Sequence, residues 1–385
     1  MTSLSLAGVS PMTRVRSLVF IFALLIAGVG SAPREAAAQA DILLQLRSGS
    51  PAGDRFRVDS AGGFVALGQI TTGIIPASGA GWRMMWYPGK VAFRAGYADA
   101  GLQFDEANIG YYSWAGGALN KAAGIYSFAM GNANTVEASA QCGMALGSGN
   151  KIWGVNPNIG TCGIALGLNN DVLDHTGVAI GNNNWSDGDA AVAIGYTTTA
   201  DADYSMAFGY RASTNGHTGA KVFGDASTTD SIEAIANNEF AVRAAGGFRF
   251  RSNATLTNGC NIAAGGASIQ CTSDRNTKEN FRKLSGEDIL KKLRRIPVTE
   301  WNFKDEVNKP RHVGPMAQDF YREFKLGSSD KEIAIQDAAS IGIAGAKALD
   351  ARTIAMQAEM KKKDAKIASL EERIARLEAI ISKIK

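Results

Sequence analysis

Histidine is scarce in this chain. Its 385 residues include three, His175, His217 and His312, scattered along the sequence. That scatter argues against a metal cluster built on His or Cys spacing, and neither a metal nor a cofactor is expected. Long hydrophobic runs are scarce too. The one near the start, from Leu18 to about Gly30, is too short to cross a bilayer as a mature helix. A basic block is missing. Residues 273–385 hold 24 Lys and Arg against 18 Asp and Glu, but the charges are interspersed, as on a solvated helical face rather than a nucleic-acid site. Cysteine is limited to four residues.

What surrounds the apolar run gives it a meaning. Arg14 and Arg16 precede it, and small residues ending in Ala38-Gln39-Ala40 follow it. A positive start, a short apolar stretch and an Ala-x-Ala site read as a secretory signal. Cleavage is expected after Ala40, with Ala32 as a second candidate, which places the mature chain outside the cell or at its surface without an integral membrane anchor. An even number of cysteines in an oxidising setting then predicts disulfides. Cys142 and Cys162 precede two copies of one repeat at the same position, and Cys260 and Cys271 bracket a Gly-rich segment. The expected pairs are Cys142–Cys162 and Cys260–Cys271.

Repetition dominates the middle. The copies run Ser127-Phe-Ala-Met-Gly131, Gly143-Met-Ala-Leu-Gly147, Gly163-Ile-Ala-Leu-Gly167, Gly177-Val-Ala-Ile-Gly181, Ala191-Val-Ala-Ile-Gly195, Ser205-Met-Ala-Phe-Gly209 and Ala220-Lys-Val-Phe-Gly224. The regular step is 14 residues, with early steps of 16 and 20. Each copy reads as one short strand closed by Gly, with Asn and Asp in the turns between. So short a strand buries nothing alone, and stacked turns make a parallel β-solenoid. The recurrent Ala is expected on a closely approached face and its Ile, Leu, Met or Phe neighbour in a core. Upstream, the run containing Trp82, Met84, Trp86 and Tyr87 reads as strands capping the first coil, with a carbohydrate-binding surface as the alternative. Downstream, 238–251 alternates around Gly246-Gly247 and reads as a β-hairpin.

The Ala-x-Ala-Ile-Gly pattern over about 120–225 resembles the head repeats of trimeric autotransporter adhesins of the YadA type. That resemblance implies a left-handed β-roll and three rolls packed side by side. Neighbouring coils lie about 4.8 Å apart, within disulfide range, which suits Cys142 and Cys162. The YadA-type C-terminal β-barrel pattern is absent.

At the end of the repetitive body stands Ser273-Asp274-Arg275-Asn276-Thr277-Lys278. A serine hydroxyl is a weak nucleophile until a base takes its proton. A lysine serves as base only when neutral, which burial without a counter-charge favours. Alone, the spacing is equally that of a helix N-cap at Ser273 or Asp274. Residues 273–325, however, resemble the intramolecular chaperone domain of phage endosialidases, the S74 self-cleaving peptidases. The matching elements are Ser273, Asp274, Lys278, Glu279 and Asn280; the Leu-rich 289–293; Pro297 to Trp301 and Phe303; and His312, Gly314, Ala317 and Gln318. Pro315 departs from the pattern, standing where an apolar residue is usual, and is expected to bend its strand. The resemblance implies a Ser273 nucleophile, a Lys278 base and cleavage between Thr272 and Ser273. It also suggests His312 as a helper, against a plain packed histidine on a strand edge.

From Ala346 the chain follows a heptad pattern, with Met360, Ile367, Ile374 and Ile381 at a and Leu370, Leu377 and Ile384 at d. Thr353 and Lys363 weaken the early heptads. Ile at a with Leu at d favours two strands, whereas Arg373, Ile374, Leu377 and Glu378 resemble a motif recurrent in trimeric coiled coils.

The expected fold is therefore mostly β, a trimeric left-handed parallel β-roll followed by an α+β chaperone domain and a parallel trimeric coiled coil. Its segments are 1–40 signal, 41–119 β cap, 120–225 roll, 226–272 β-hairpin connector, 273–345 chaperone and 346–385 coiled coil. The expected activity is a single-turnover autoproteolysis in cis. The expected partner is a second and third copy of the chain, with a host-surface or glycan ligand for the head. A polysaccharide-cleaving enzyme is the alternative, for which Asp171, Asp174, Asp187 and Asp189 would be the carboxylates.

Overall fold

Alanine and glycine set the path of the chain through its middle. The computed structural model describes residues 42–49, 52–154 and 162–384, and the expected signal peptide lies outside them. The chain forms two compact units, one running to Arg251 with Gly259–Gln270, the other comprising Ser252–Asn258 and everything from Cys271 onward.

The first unit is a parallel β-solenoid. Its main sheet has eleven strands. Gly81–Tyr87 lies antiparallel on Ala92–Ala98 at one end, and the strands from there to Phe240–Val242 are parallel. A second sheet of eight two-residue strands, from Lys121–Ala122 to Ile232–Glu233, closes the coils. The solenoid thus extends past the seven repeats at both ends. A separate antiparallel sheet, Ile42–Gly49, Ala52–Asp59 and Phe64–Ala66, precedes it.

Register explains the repeat. Ala115, Ala129, Ala145, Ala165, Ala179, Ala193 and Ala207 form one column, fully buried inside the coil. Side chains alternate along a strand, and Val136, Ile152 and Val172 of the second sheet fill the rest of the interior beside the alanines. The large neighbours therefore point the other way, which corrects the expectation that they fill the coil's core. Phe128, Met144, Ile164, Val178, Val192 and Met206 form one outward column, and Met130, Leu146, Leu166, Ile180, Ile194 and Phe208 another; all remain partly or largely exposed. Glycine closes each strand for a steric reason. Gly181 has φ 121°, and a Cβ there would stand 2.1 Å from the Gly195 carbonyl oxygen.

A buried amide ladder runs beside the alanines. Asn120, Asn134, Asn150, Asn170 and Asn184 are buried and stand three residues after the strand glycines. Each Nδ2 from Asn134 onward donates to Oδ1 of the asparagine one coil earlier at 2.8–2.9 Å. It also donates to two backbone carbonyls, as Asn150 does to Leu146 and Gly167. Thr198 ends the ladder, donating Oγ1 to Asn184 Oδ1 at 2.6 Å. Every buried polar atom of a rung is thereby engaged, the condition under which such a network stabilises.

Both solenoid ends are closed by arginine. Arg94 occupies the alanine position of the first parallel strand. Fully buried, it donates to the carbonyls of Phe93, Ser113 and Ala122 and to Ser113 Oγ. Burial lowers its pKa to about 10. At the other end Arg243 pairs with Asp225 at 3.0 Å and donates to the carbonyls of Tyr210, Asp225 and Asp230.

The expected hairpin over 238–251 does not form. Phe240–Val242 continues the solenoid, pairing in parallel with Lys221–Phe223, while Phe248–Arg251 pairs with Gly259–Ile262. The repeat phase outweighs the Gly-Gly turn signal, because Ala241 falls on the column of Val222.

The second unit has a small core. Helices α1 (Gly286–Leu293), α2 (Ala317–Phe324) and α3 (Ile335–Ile384) surround Ile289, Ile296, Phe320 and Ile341. Ser285 caps α1. Helices α1 and α3 approach closely through small residues: a Cβ on Gly286 would lie 2.9 Å from the Ala348 Cβ, and one on Gly345 2.8 Å from Leu293 Cδ1. Helix α3 has 50 residues, about 75 Å at 1.5 Å per residue. Its first turns belong to this core, so the expected division at 345/346 falls inside a continuous helix. Beyond Ala348 it is exposed on nearly every side, including Ile367, Leu370, Ile374, Leu377 and Ile381.

Candidate active site

A single turn of 3-10 helix, Arg275–Thr277, builds the site. Asp274 caps it, its carboxylate accepting from the Asn276 N–H at 2.9 Å. The Thr277 hydroxyl donates back to the Asp274 carbonyl at 2.9 Å. This short turn reverses the chain and brings Lys278 onto Ser273, with Nζ 2.6 Å from Oγ. The N-cap reading and the dyad reading therefore describe one geometry. In the single chain both residues are exposed, and the amine donates to the hydroxyl. Base chemistry needs the opposite polarity, with a neutral amine accepting the hydroxyl proton.

The residue before the nucleophile is also held. The Thr272 hydroxyl donates to the Thr257 carbonyl at 3.2 Å. Thr257 sits in a turn tied by Asn253, whose amide donates to the hydroxyls of Thr255 and Thr257. Sequence reasoning missed Thr257 and Thr277. The polar cluster Asn253 to Asn258 was the available signal, but nothing in the sequence says which backbone it meets. Next to the dyad, the Arg275 guanidinium stands 5.5 Å over the exposed Phe281 ring. Asn280 takes φ 57°, a left-handed conformation that asparagine tolerates, and Glu279 is exposed.

His312 lies in a two-stranded hairpin, Thr299–Trp301 with His312–Gly314. Its Nε2 faces Glu306 Oε2 at 2.8 Å, and its ring stacks on Trp301 at 4.9 Å. Its partners are thus hairpin residues rather than Ser273 or Lys278. Gly314 ends the strand, Pro315 leads out of it, and Gln318 is exposed on the first turn of α2. Arg373, Ile374, Leu377 and Glu378 are all exposed on α3.

In the solenoid, Cys142 and Cys162 form a disulfide with a Cα separation of 4.8 Å. Cys260 and Cys271 are both disulfide-bonded. The carboxylates of the alternative reading lie on two neighbouring coils, Asp171 pairing in register with Trp185. Burial pushes the carboxyls of Asp171 and Asp187 up, Asp174 pairs with His175, and the Asp189 N–H donates to Asp203. Among the described residues no His, Cys, Asp and Glu group is arranged to hold a metal, and no helix is long and apolar enough to cross a membrane.

No curated protein and no solved structure matches the chain. Family models do match. Two copies of the YadA head domain repeat cover 175–197 and 186–212, on consecutive solenoid coils. Residues 273–325 match the family described as chaperone of endosialidase, beginning at the serine that Lys278 touches.

Proposed function

We propose that this chain is an exported, homotrimeric surface or fibre protein with an adhesin-like head. Its residues 273–385 act as an intramolecular chaperone that aligns three copies and then cuts itself away between Thr272 and Ser273. The observation that carries the reading is the 2.6 Å contact between Lys278 Nζ and Ser273 Oγ, at the first residue of the chaperone match.

Trimerisation is supported by where the apolar side chains point. The two outward columns run over six neighbouring strands of the main sheet, five strand spacings or about 24 Å at ~4.8 Å each. A neighbouring copy covering them removes apolar surface worth about 25 cal/mol per Å². The a and d residues of α3 are likewise uncovered in one chain. Three parallel helices meet that need through local contacts, which form early, whereas aligning three solenoids requires non-local ones. Tethering the chain ends raises the effective concentration of the heads for one another.

The chemistry follows from the site. Once neighbouring copies exclude water from the dyad, the charged form of a buried amine is disfavoured. Neutral Lys278 takes the Ser273 hydroxyl proton, and Oγ attacks the Thr272 carbonyl carbon. The peptide C–N bond breaks as Lys278 passes that proton to the Ser273 nitrogen, leaving Thr272 esterified to Oγ, Ser273 with a free α-amine and Lys278 neutral again. Water then hydrolyses the ester, freeing the Thr272 carboxylate and regenerating the hydroxyl. Each chain reacts once, which makes cleavage a one-way signal that assembly is complete.

Light scattering on the Ser273→Ala chain tests the assembly. A trimer is expected, and a dimer or monomer overturns the architecture. A host-surface or glycan ligand is the partner implied for the head. Glycan-array binding without depolymerisation of polysaccharide supports that role, and depolymerisation replaces it with the enzymatic alternative.

A further inference from the structure

The dyad is complete in a single chain, and the residues that complete it are neither its nucleophile nor its base. We propose that Asp274 and Thr277 form a positioning lock that assembles the Ser273–Lys278 pair before the chains meet, leaving desolvation as the step that trimerisation controls. This rests on the self-cleavage reading.

Ser273 and Lys278 stand five positions apart, and an extended segment of that length would hold them more than ~15 Å apart. Four hydrogen bonds prevent this. The Asp274 carboxylate accepts from the Asn276 N–H at 2.9 Å. The Asp274 carbonyl accepts from the Thr277 hydroxyl at 2.9 Å and from the Thr277 N–H at 3.3 Å. The Lys278 N–H then donates to the Arg275 carbonyl at 3.1 Å, fixing the residue that carries the base. The lock is built almost wholly from residues 274–278, all exposed in the chain. It needs no contact with a neighbouring copy, which is why the dyad stands formed here without one.

Positioning of this kind acts on rate through geometry, since small displacements of a reacting group are costly. The test compares full-length wild type with Asp274→Ala, Asp274→Asn, Thr277→Val and Thr277→Ser, following cleavage over time on denaturing gels. Trimer content is measured for the same substitutions in a Ser273→Ala background. Loss of a side-chain cap should slow Asp274→Ala and Thr277→Val by roughly tenfold. Asn retains an accepting oxygen and Ser a donating hydroxyl, so both should stay within about threefold of wild type. The trimer should be unchanged throughout. Wild-type rates in Asp274→Ala and Thr277→Val overturn the lock. So does slowing that the conservative variants fail to rescue, or that tracks loss of trimer. A wild-type chain that stays intact refutes the self-cleavage reading, and the lock falls with it; a cleaving wild type with unaffected variants refutes the lock alone.

Discussion

The solenoid and the tail distribute polarity differently. Inside each coil the chain buries alanines, a few larger side chains such as Val136, Ile152, Val172 and Val222, and fully bonded asparagines, while the large neighbours of the alanines face out. A coil therefore gains its order from hydrogen bonds to the coils on either side together with a narrow, mostly small-residue interior. The tail buries four large side chains in one small core and extends a helix whose later heptad positions are exposed. Both regions leave apolar stripes exposed in the single chain. They differ in how readily one chain can shape the stripe. A helix sets its stripe through local bonds, while the solenoid's stripe exists only after many coils have stacked in register. On the proposed function, that difference is the physical reason for an alignment device in the tail, with the serine between the two in the chain.

The comparison breaks most completely if the tail stripe is charged. Ile374→Asp combined with Leu377→Asp should abolish the trimer in sedimentation and reduce cleavage by at least ~tenfold, since uncompensated buried charge costs several kcal/mol per copy. Charging the head stripe instead, with Ile180→Asp and Ile194→Asp, should leave the tail trimeric but loosen the heads. The expected cost is about 1.5–3 kcal/mol per lost side chain, read as faster proteolysis of the cleaved head. Inside the coil, Asn150→Ala removes the acceptor of the Asn170 backbone N–H and a donor to the Leu146 and Gly167 carbonyls. It should destabilise the head by about 2–4 kcal/mol, whereas Thr198→Val at the ladder's end should cost about 1 kcal/mol, both measured by thermal unfolding.

The smallest effect concerns the end cap. The Asp225 carboxyl is held below the usual carboxylate range, first by the Ser227 hydroxyl, then by the Ala245 N–H and Arg243. A depressed folded pKa contributes stability above the ordinary value, about 3.9, and loses it as pH falls below that. Head stability should therefore decline between pH 4 and the acid limit, and Asp225→Asn should flatten that decline in acid unfolding curves.

The 14-residue phase made the solenoid legible, because every coil needs its Ala and Gly at the same place. The same phase was misread in one respect. Whether Ile180 faces into a coil or out of it depends on the distance between two sheets of one chain, which no strand reveals alone. The ladder was hidden because Asn is also a turn residue. Asn169 and Asn183 do take left-handed turn conformations, while Asn170 and Asn184 beside them are buried rungs. At the site, Ser273 and Lys278 were legible from their surroundings. The turn that joins them was visible only as a capping tendency, and the Thr272 hydroxyl meets a segment 15 residues away through a backbone carbonyl that carries no sequence signal.

The central claim is that Ser273 cuts its own chain. Wild type and Ser273→Ala, run side by side on a denaturing gel with N-terminal sequencing of the smaller fragment, test it most directly. The account predicts a wild-type fragment beginning at Ser273 and an uncut Ser273→Ala chain. An intact wild type, a fragment with another first residue, or cleavage that survives Ser273→Ala would contradict it.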